Sequence, residues 1–254
     1  AGKTGTFEQG EHHDKQIELK APSWLYHNHK GYLIVPFPEQ HLLAKSGDKI
    51  NVTDLERKGQ RGAFPLIETF ALALDHGVKP EQGQKDAYHY VLVANAELSE
   101  MDDLLRKYLA EVDVASEQGR YHMFHSKTEK LTQISALEPG EIRLADKRTV
   151  SVSVSALVMF AEKDDHYMVT VSDPSHDIAL KQLTVDLPIA VKSGSYGYMA
   201  QGIYPYEAES AEVTPLEHGS RIVVELADRR DAELYRDQEH LFAGQPIVLK
   251  IPKN

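Results

Sequence analysis

The side chains best able to do chemistry in this sequence are its 13 histidines, several of which stand next to a tyrosine. A tyrosine and a histidine can serve as base and acid when a proton is abstracted from carbon. The adjacent pairs are Tyr26-His27, Tyr88-His89, Tyr121-His122 and His166-Tyr167. Most of them fall on predicted strands, where neighbouring side chains point to opposite faces and cannot act on one substrate. We therefore expect structural roles, with tyrosine inside or at the rim and histidine outside.

Clusters of histidine and carboxylate residues could also indicate a metal site. The candidates are EHHD at 11–14, HNH at 27–29 and EKDDH at 162–166. None of them has the ligand spacing of a known zinc motif or of a calcium-binding loop. The chain has no cysteine, which excludes thiolate ligands, disulfides and cysteine nucleophiles. We expect turns or surface positions at all three segments, and neither a metal nor a cofactor.

Aromatic residues offer another kind of site, because tyrosine rings can stack on sugars. The segment GSYGY at 194–198 is rich in glycine and tyrosine and predicts a loop or an edge strand. The candidate carbohydrate-binding residues are Tyr196, Tyr198 and Tyr204, with Trp24 and Tyr206 as the remaining aromatic candidates. No G-x-S-x-G elbow and no glycine-rich phosphate-binding motif is present, which disfavours hydrolases of that type and nucleotide-binding folds.

The elements that must position these residues are mostly strands. Residues 23–37 predict a hairpin whose polar turn ends at Gly31. Residues 62–74 and 87–95 predict two more paired strands, joined by a loop in which DHG at 75–77 forms a turn. The alternation of valine and serine at 149–160 predicts one strand with a single buried face. Shorter apolar runs predict further strands at 178–189, 220–227 and 245–252.

One helix is expected at 97–112. Ser99 can cap its N-terminus, with Asp102 three residues further on in a pattern that resembles a capping box. The apolar residues that recur at helical spacing are Met101, Leu104, Leu105, Leu109 and Val112. This helix and the polar stretch after it mark the boundary between two domains, at 1–113 and 114–254.

Composition narrows the class of protein further. Short strands separated by turn signals predict a mainly β protein made of antiparallel sandwiches with one short helix. The formal net charge of −11 repels nucleic acid and anionic membranes, and no apolar window has the length of a membrane span. Because the sequence starts at Ala1 with no signal peptide, we expect a processed chain or a fragment.

Three stretches, taken in order, resemble polysaccharide lyase family 8, the hyaluronate, chondroitin and xanthan lyases. WLYHNHKGYLIVP at 24–36 resembles a hairpin of that family, and LDHGVKPEQGQKDAYHYVLVAN at 74–95 resembles its strand–loop–strand pattern. VSDPS at 171–175 resembles the start of a turn in its C-terminal domain. One departure is His89, which replaces an acidic residue of the family at what we expect to be a surface turn.

The resemblance implies that residues 1–113 are the end of the central β super-sandwich and 114–254 the smaller C-terminal β-sandwich. Family members begin with an α/α toroid that supplies the asparagine, histidine, tyrosine and arginine of β-elimination. No such helical region is present, so no catalytic residue is carried over to this chain. The toroid would be supplied in cis or as a separate chain.

The implied function is therefore that of a scaffold in a secreted enzyme that cleaves a uronic-acid-containing polysaccharide. Such an enzyme would be periplasmic or extracellular, and this chain alone is expected to be inactive. The alternatives are a non-catalytic carbohydrate-binding module and a purely structural β-sandwich. A row of exposed aromatic residues would favour the first alternative, and an exposed apolar patch without glycan binding would favour the second.

Overall fold

The chain divides into two compact units, Ala1–Ala110 and Glu111–Asn254. The structure of the chain is a computed structural model. It describes residues 5–6, 16–19, 21–27, 29–36, 42–46, 72–75, 88–117, 119–175, 177, 179–200, 206–226 and 246–254. Both units are mainly β, as the sequence predicts, and each is described by itself below.

The described part of the first unit contains two small sheets. The first has the order β1-β3-β4-β7 and consists of β1 (Gly5–Thr6), β3 (Ser23–His27), β4 (Lys30–Pro36) and β7 (Tyr88–Ala94). The second has the order β2-β5-β6 and consists of β2 (Gln16–Leu19), β5 (Leu42–Ser46) and β6 (Leu72–Asp75). The short β1 runs parallel to β3, whereas the other pairings in these two sheets are antiparallel.

A helix, α1 (Met101–Glu111), follows the last strand of this unit and supplies part of its core. The buried cluster consists of Trp24, Leu33, Ala96 and Met101. The indole Nε1 of Trp24 donates a hydrogen bond to Asp102 Oδ1 at 2.7 Å, which links β3 to the first turn of α1. A carboxylate in that turn also suits the positive end of the helix dipole. Hydrophobic burial and one charge-assisted bond therefore hold the helix to the sheet.

The predicted helix is confirmed, but the details of its two ends are different. Ser99 lies inside a 3₁₀ turn, Leu98–Glu100, so the predicted cap by Ser99 is wrong. At the other end Val112 already belongs to the next strand. Leu109 is 43% exposed, while Tyr108 packs against the cluster instead. The apolar stripe of the helix is thus narrower than the sequence spacing predicts.

The predicted hairpin at 23–37 is confirmed as β3 and β4, with a different role for its glycine. Gly31 lies within β4, opposite Tyr26, and not in the turn. A Cβ atom at this position would come within 2.6 Å of Met101 Sδ. The glycine therefore makes room for the helix, and the turn itself contains His29 with a φ of 58°.

The prediction that residues 62–74 and 87–95 pair with each other is wrong. Strand β6 pairs with β5, and β7 pairs with β4, so the two lie in different sheets. Most of the loop between them, including His76 and Gly77 of the DHG segment, lies outside the described residues.

His89 does not lie at a surface turn, as its place in the sequence suggested. It is the second residue of β7, opposite Val35, and its ring centroid is 5.7 Å from that of Tyr108. Burial lowers the pKa of His89 and raises the pKa of Tyr108, because a low-dielectric environment disfavours the charged form of each.

The pKa of His89 predicts how the stability of the first unit depends on pH. The neutral ring is favoured in the folded state, so the unfolded state binds more protons just below pH 6.5, the ordinary value. The stabilisation is present above that pH and is lost as the pH falls towards the folded pKa. We expect urea unfolding, followed by the fluorescence of the single tryptophan Trp24, to show this loss, and His89→Phe to reduce its slope.

His218→Phe is the matched control, because that histidine side chain is 89% exposed and belongs to the other unit. It should leave the slope of the Trp24 transition unchanged. An equal pH dependence in wild type and His89→Phe would contradict the expected role of His89.

The second unit is built on one 12-stranded sheet. Its order is β11-β12-β15-β18-β17-β16-β19-β14-β13-β10-β9-β8. The strands are β8 (Val112–Glu117), β9 (Tyr121–Ser126), β10 (Leu131–Ala136), β11 (Gly140–Arg143), β12 (Thr149–Val152), β13 (Ala156–Glu162), β14 (His166–Ser172), β15 (Gln182–Leu187), β16 (Gly194–Ala200), β17 (Tyr206–Leu216), β18 (Gly219–Glu225) and β19 (Ile247–Pro252). All of the pairings recorded in this sheet are antiparallel.

This sheet folds back on itself into a sandwich. Among the described residues, strands β16 and β19 share two residue pairs, so the two halves of the sheet can diverge there. Val213 and Ile222 from one half and Val158 and Val169 from the other belong to one buried cluster. One sheet therefore supplies both layers of a single core, which confirms the sandwich expected in this part of the chain.

Two local predictions for this unit need correction. The single strand predicted at 149–160 is two strands, β12 and β13, separated by a bend at 153–155. In the bend Ser153 Oγ accepts a hydrogen bond from Thr184 N, and Ser155 Oγ donates one to Leu137 O. The GSYGY segment forms β16, which pairs with β17 on one side and β19 on the other, so it is an interior strand.

No helix in the part of the chain that the structure describes has the length and apolarity needed to cross a lipid bilayer.

Candidate functional site

Of the three tyrosines predicted to bind carbohydrate, the structure describes the side chain of Tyr196 alone. Tyr196 lies on β16, where its ring packs against the core of the sandwich. Its hydroxyl donates a hydrogen bond to Lys192 O at 2.7 Å, so the hydroxyl proton is already engaged within the protein. Tyr198 is on the same strand but its side chain is not among the described ones, and Tyr204 lies outside the described residues. A binding role for these tyrosines stays a prediction.

The histidine-rich segments take structural positions where they are described. His27 lies on β3, and His29 Nδ1 is 3.5 Å from Glu97 Oε1, whereas EHHD at 11–14 lies outside the described residues. In EKDDH, Asp165 Oδ1 is 2.5 Å from His166 Nδ1, and this bond lowers the pKa of Asp165. The described residues contain no group of three or more His, Asp or Glu side chains placed to hold a metal ion.

The Tyr-His pairs only partly follow the expected pattern. Tyr121 packs against the core while His122 is exposed, as predicted. At the other described pair in this unit, Tyr167 packs against the core, but the His166 side chain is only 16% exposed. The prediction that histidine lies outside is therefore wrong for His166, as it is for His89.

A pocket opens at one end of the C-terminal sandwich, with a volume of about 240 Å³. We call it the mouth pocket. Its lining side chains come from both layers: His125, Lys127, Lys130, Thr132, Arg148, Phe160, Glu162, Tyr167 and Ile189. Cationic side chains are prominent in this set, in a chain whose net charge is −11. This combination makes the mouth pocket the strongest candidate site in the described part of the chain.

The inner part of the mouth pocket is built by a row of paired residues across three strands. His125 on β9 is opposite Thr132 on β10, which is opposite Phe160 on β13. His125 Nδ1 and Thr132 Oγ1 are 2.9 Å apart and hydrogen-bonded, which satisfies a threonine that is only 2% exposed. The row thus runs from an apolar side chain, Phe160, to the polar side chains of Thr132 and His125.

The cations of the mouth pocket come from three separate parts of the chain. Lys127 and Lys130 belong to the turn between β9 and β10, and Arg148 precedes β12. Lys253, at the end of the chain, reaches the same place: its Nζ is 5.4 Å from the ring centroid of Tyr167. Antiparallel pairing of β9, β10, β13, β14 and β19 brings these positions to one end of the sandwich.

Each of these cations has a carboxylate partner. Lys130 Nζ and Lys253 Nζ lie 3.2 Å and 2.9 Å from the same atom, Glu162 Oε1. Lys127 Nζ is 3.0 Å from Asp113 Oδ1. The hydrogen bond from Lys253, and to a smaller extent the one from Lys130, lowers the pKa of Glu162 below its ordinary value. The pKa of Lys253 is raised by the same bond.

Arg148 is held more firmly than the lysines. Its Nε donates to Asp146 Oδ2 at 2.7 Å, and its Nη1 donates to Pro188 O at 3.0 Å. The hydrogen bond from Arg148 lowers the pKa of Asp146. Four cationic side chains lie beside three carboxylates, and the charge of Asp164 also acts on Lys253 and raises its pKa. The cations of this arrangement are suited to an anion.

Sequence reasoning did not find this site, because its residues are far apart along the chain. The basic residues are scattered along the sequence, and their densest cluster, RKGQR at 57–61, lies outside the described residues. A local signal does exist in KTEK at 127–130, where two lysines flank a tight turn. That segment alone does not predict that Arg148 and Lys253 join it.

One segment of the second unit matches a known protein family. Residues 119–182 match the family described as polysaccharide lyase family 8, C-terminal beta-sandwich domain. That segment runs from β9 to the start of β15, within the second unit. The match agrees with the resemblance noted in the sequence, for this segment of the C-terminal sandwich.

Solved structures agree with that assignment at the level of the fold. Chondroitin AC lyase of Streptomyces coelicolor A3, solved in complex with chondroitin sulphate, has a TM-score of 0.54 at 12% identity over 93% of this chain. A xanthan lyase from Paenibacillus has a TM-score of 0.51 at 14% identity over 89%. A chondroitinase AC lyase, solved as oligosaccharide complexes, has a TM-score of 0.59 at 14% identity over 95%. No curated protein sequence matches the chain significantly.

The chain spans a minor part of each of these enzymes. It covers 27% of the Streptomyces chain, 19% of the Paenibacillus chain and 29% of the chondroitinase chain. At these identities the likeness describes the fold and not the substrate.

Proposed function

We propose that this chain is the C-terminal β portion of a secreted polysaccharide lyase that cleaves uronic-acid-containing polysaccharide by β-elimination. The observation that carries the proposal is the family match over residues 119–182, inside a sandwich that has the fold of lyase C-terminal regions. The substrate class follows from the resemblance to family 8 and from the chondroitin and xanthan lyases among the structural neighbours.

The role proposed for the chain itself is that of a scaffold. β-Elimination from a uronate requires a base for the C5 proton and groups that neutralise the carboxylate. In family 8 those groups come from a helical toroid, and the described residues contain one helix of 11 residues. The mouth pocket offers cations that are already paired with carboxylates, and its His125 is hydrogen-bonded to Thr132. The chain would therefore support a catalytic cleft supplied by a toroid, in cis or as a separate chain.

The test compares this chain with a longer polypeptide that joins it to its toroid, whether the same gene or a separate gene encodes that toroid. Purified chain incubated with hyaluronan, chondroitin sulfate or xanthan is expected to give no ultraviolet absorbance from unsaturated uronate. The longer polypeptide is expected to give that absorbance with at least one of the polymers. A heat-denatured sample of each protein serves as the control for spontaneous elimination.

Two results would contradict the proposal in different ways. Product formation by the purified chain would overturn the scaffold role, because catalytic groups would then lie within these 254 residues. Failure of the longer polypeptide to cleave any of the uronate polymers, when folded and soluble, would overturn the lyase assignment.

A further inference from the structure

We propose that the mouth pocket is an accessory binding site for one anionic group of an acidic polysaccharide, a uronate carboxylate or a sulfate ester. The inference rests on the proposed function for its ligand class, but it assigns a separate site in the C-terminal sandwich. The observation that supports the proposal is that Lys127, Lys130 and Arg148 line one pocket, with Lys253 bound to Glu162 beside them.

The geometry around Glu162 shows which kind of ligand atom suits the pocket. Its Oε1 is held by two ammonium groups, those of Lys130 and Lys253, at 3.2 Å and 2.9 Å. A carboxylate or sulfate oxygen of a sugar has the same charge and the same hydrogen-bonding capacity as this atom. Charge-assisted bonds of this type are the stronger class of protein hydrogen bonds. The pocket therefore already contains one example of the contact that a ligand would make.

The lysines are exposed enough to reach a ligand from solvent. The side chains of Lys130 and Lys127 are 61% and 49% exposed, so each can contact an external oxygen while it stays near its own carboxylate. Arg148, fixed by Asp146 and by the Pro188 carbonyl, adds a charge of constant position. Lys127 and Lys130 present two ammonium groups to solvent in an otherwise acidic chain, so an anionic group would be attracted to them.

The size of the pocket limits what it can hold. Its volume of about 240 Å³ lies below the roughly 300–1,000 Å³ of sites that enclose a drug-sized ligand. It suits a single charged group with part of one sugar ring. The aromatic ring of Tyr167 borders the space and can contact the apolar face of that ring. The remainder of the polymer would extend into solvent, which agrees with a weak accessory site.

The test measures binding of chondroitin sulfate and hyaluronan oligosaccharides to the chain by isothermal titration calorimetry at low ionic strength. We expect binding that weakens as salt is added, because exposed ion pairs are screened. The double variant Lys127→Gln/Lys130→Gln should weaken binding about 5- to 10-fold, since each exposed charge pair contributes modestly. Glu162→Gln should tighten binding about twofold to fivefold, because it removes the carboxylate that competes for Lys130 and Lys253.

The matched control is Lys30→Gln/Lys107→Gln, which removes the same charge from exposed lysines of the first unit. It should leave the affinity within twofold of wild type. A gain of affinity in Glu162→Gln cannot arise from misfolding, so that variant keeps the test valid if the lysine double variant is unstable. Neutral dextran oligosaccharides should not bind.

Several outcomes would overturn the inference. They are the absence of binding to both acidic oligosaccharides, equal affinity in wild type and both pocket variants, and equal loss in the control double variant. Inorganic sulfate that binds as tightly as the oligosaccharides would also overturn it, since the site would then not recognise a saccharide. Binding of chondroitin sulfate without hyaluronan would assign the sulfate ester, and equal binding of both would assign the carboxylate. None of these outcomes affects the lyase assay on the longer polypeptide.

Discussion

Gly219→Ala is expected to destabilise the C-terminal sandwich by about 3 kcal/mol or more, because two separate costs add. Gly219 has a φ of +152°, a region that residues with a Cβ atom rarely adopt. A Cβ atom there would lie 2.1 Å from Leu187 O and 3.0 Å from Pro188 Cα. Both contacts are with backbone, so relief requires β18 to move away from the end of β15.

The cost is large because the affected backbone is part of the central pairing of the sandwich. Gly219 opens β18 directly after the turn at 217–218, and its neighbour Ser220 pairs with Leu187. Ser220 is buried, and its Oγ accepts a hydrogen bond from Val191 N. A shift of β18 would therefore disturb a strand pair and a buried hydrogen bond together.

Thermal and urea unfolding followed by far-ultraviolet circular dichroism measure this effect. Gly197→Ala is the matched control, because that glycine has no heavy atom within 4 Å of a built Cβ atom and no positive φ. The control should change the stability by about 0.5 kcal/mol or less. Similar effects of the two substitutions would show that the contact with Leu187 is not a real constraint on the fold.

The elements that the sequence predicted correctly are those specified by local pattern. Strand β18 alternates buried and exposed residues along its whole length, and β19 does the same, so period two is sufficient to identify both. The helix was predicted because four of its apolar residues recur at helical spacing, although only Met101 is fully buried. Local sequence patterns suffice to predict such elements, because each element shows its full hydrophobic period within its own few residues.

Errors arose where distant residues decide the local structure. The valine–serine alternation continues through residues 149–155, yet the chain bends at 153–155 to bond with Thr184 and Leu137. Period two cannot distinguish a continuous strand from two strands in different parts of a sheet. The same reason explains why Leu72–Asp75 pairs with Leu42–Ser46 rather than with the next strand in the sequence.

The candidate site was beyond sequence reasoning for a related reason. Sequence favoured tyrosines concentrated in one segment, whereas the mouth pocket draws on residues from 125 to 253. Which distant residues meet at the pocket depends on the order of the strands in the sheet. No single segment of the sequence specifies that order. The family resemblance indicated the type of fold, but it places the catalytic groups in a helical toroid and therefore does not indicate a site at the open end of the sandwich.

Asp173→Ala is expected to destabilise the C-terminal sandwich by about 3 kcal/mol, because it leaves several donors without their acceptor. Asp173 belongs to VSDPS at 171–175 and is only 3% exposed. Its Oδ1 accepts bonds from Ser175 N at 2.8 Å and Ser175 Oγ at 2.5 Å, and its Oδ2 accepts one from Asp177 N at 3.1 Å. The carboxylate thus holds the turn that follows β14, which gives a physical reason for this motif.

Two further variants separate the hydrogen bonds of Asp173 from its charge and from a general effect of losing a carboxylate. Asp173→Asn keeps the shape and one acceptor oxygen, so about half of the loss is expected. Asp164→Ala removes an exposed carboxylate from a turn and should cost about 0.5 kcal/mol or less. Urea unfolding followed by far-ultraviolet circular dichroism should rank the losses as Asp173→Ala, Asp173→Asn and Asp164→Ala. A loss for Asp173→Ala no greater than that for Asp164→Ala would mean that the buried carboxylate does not organise this turn.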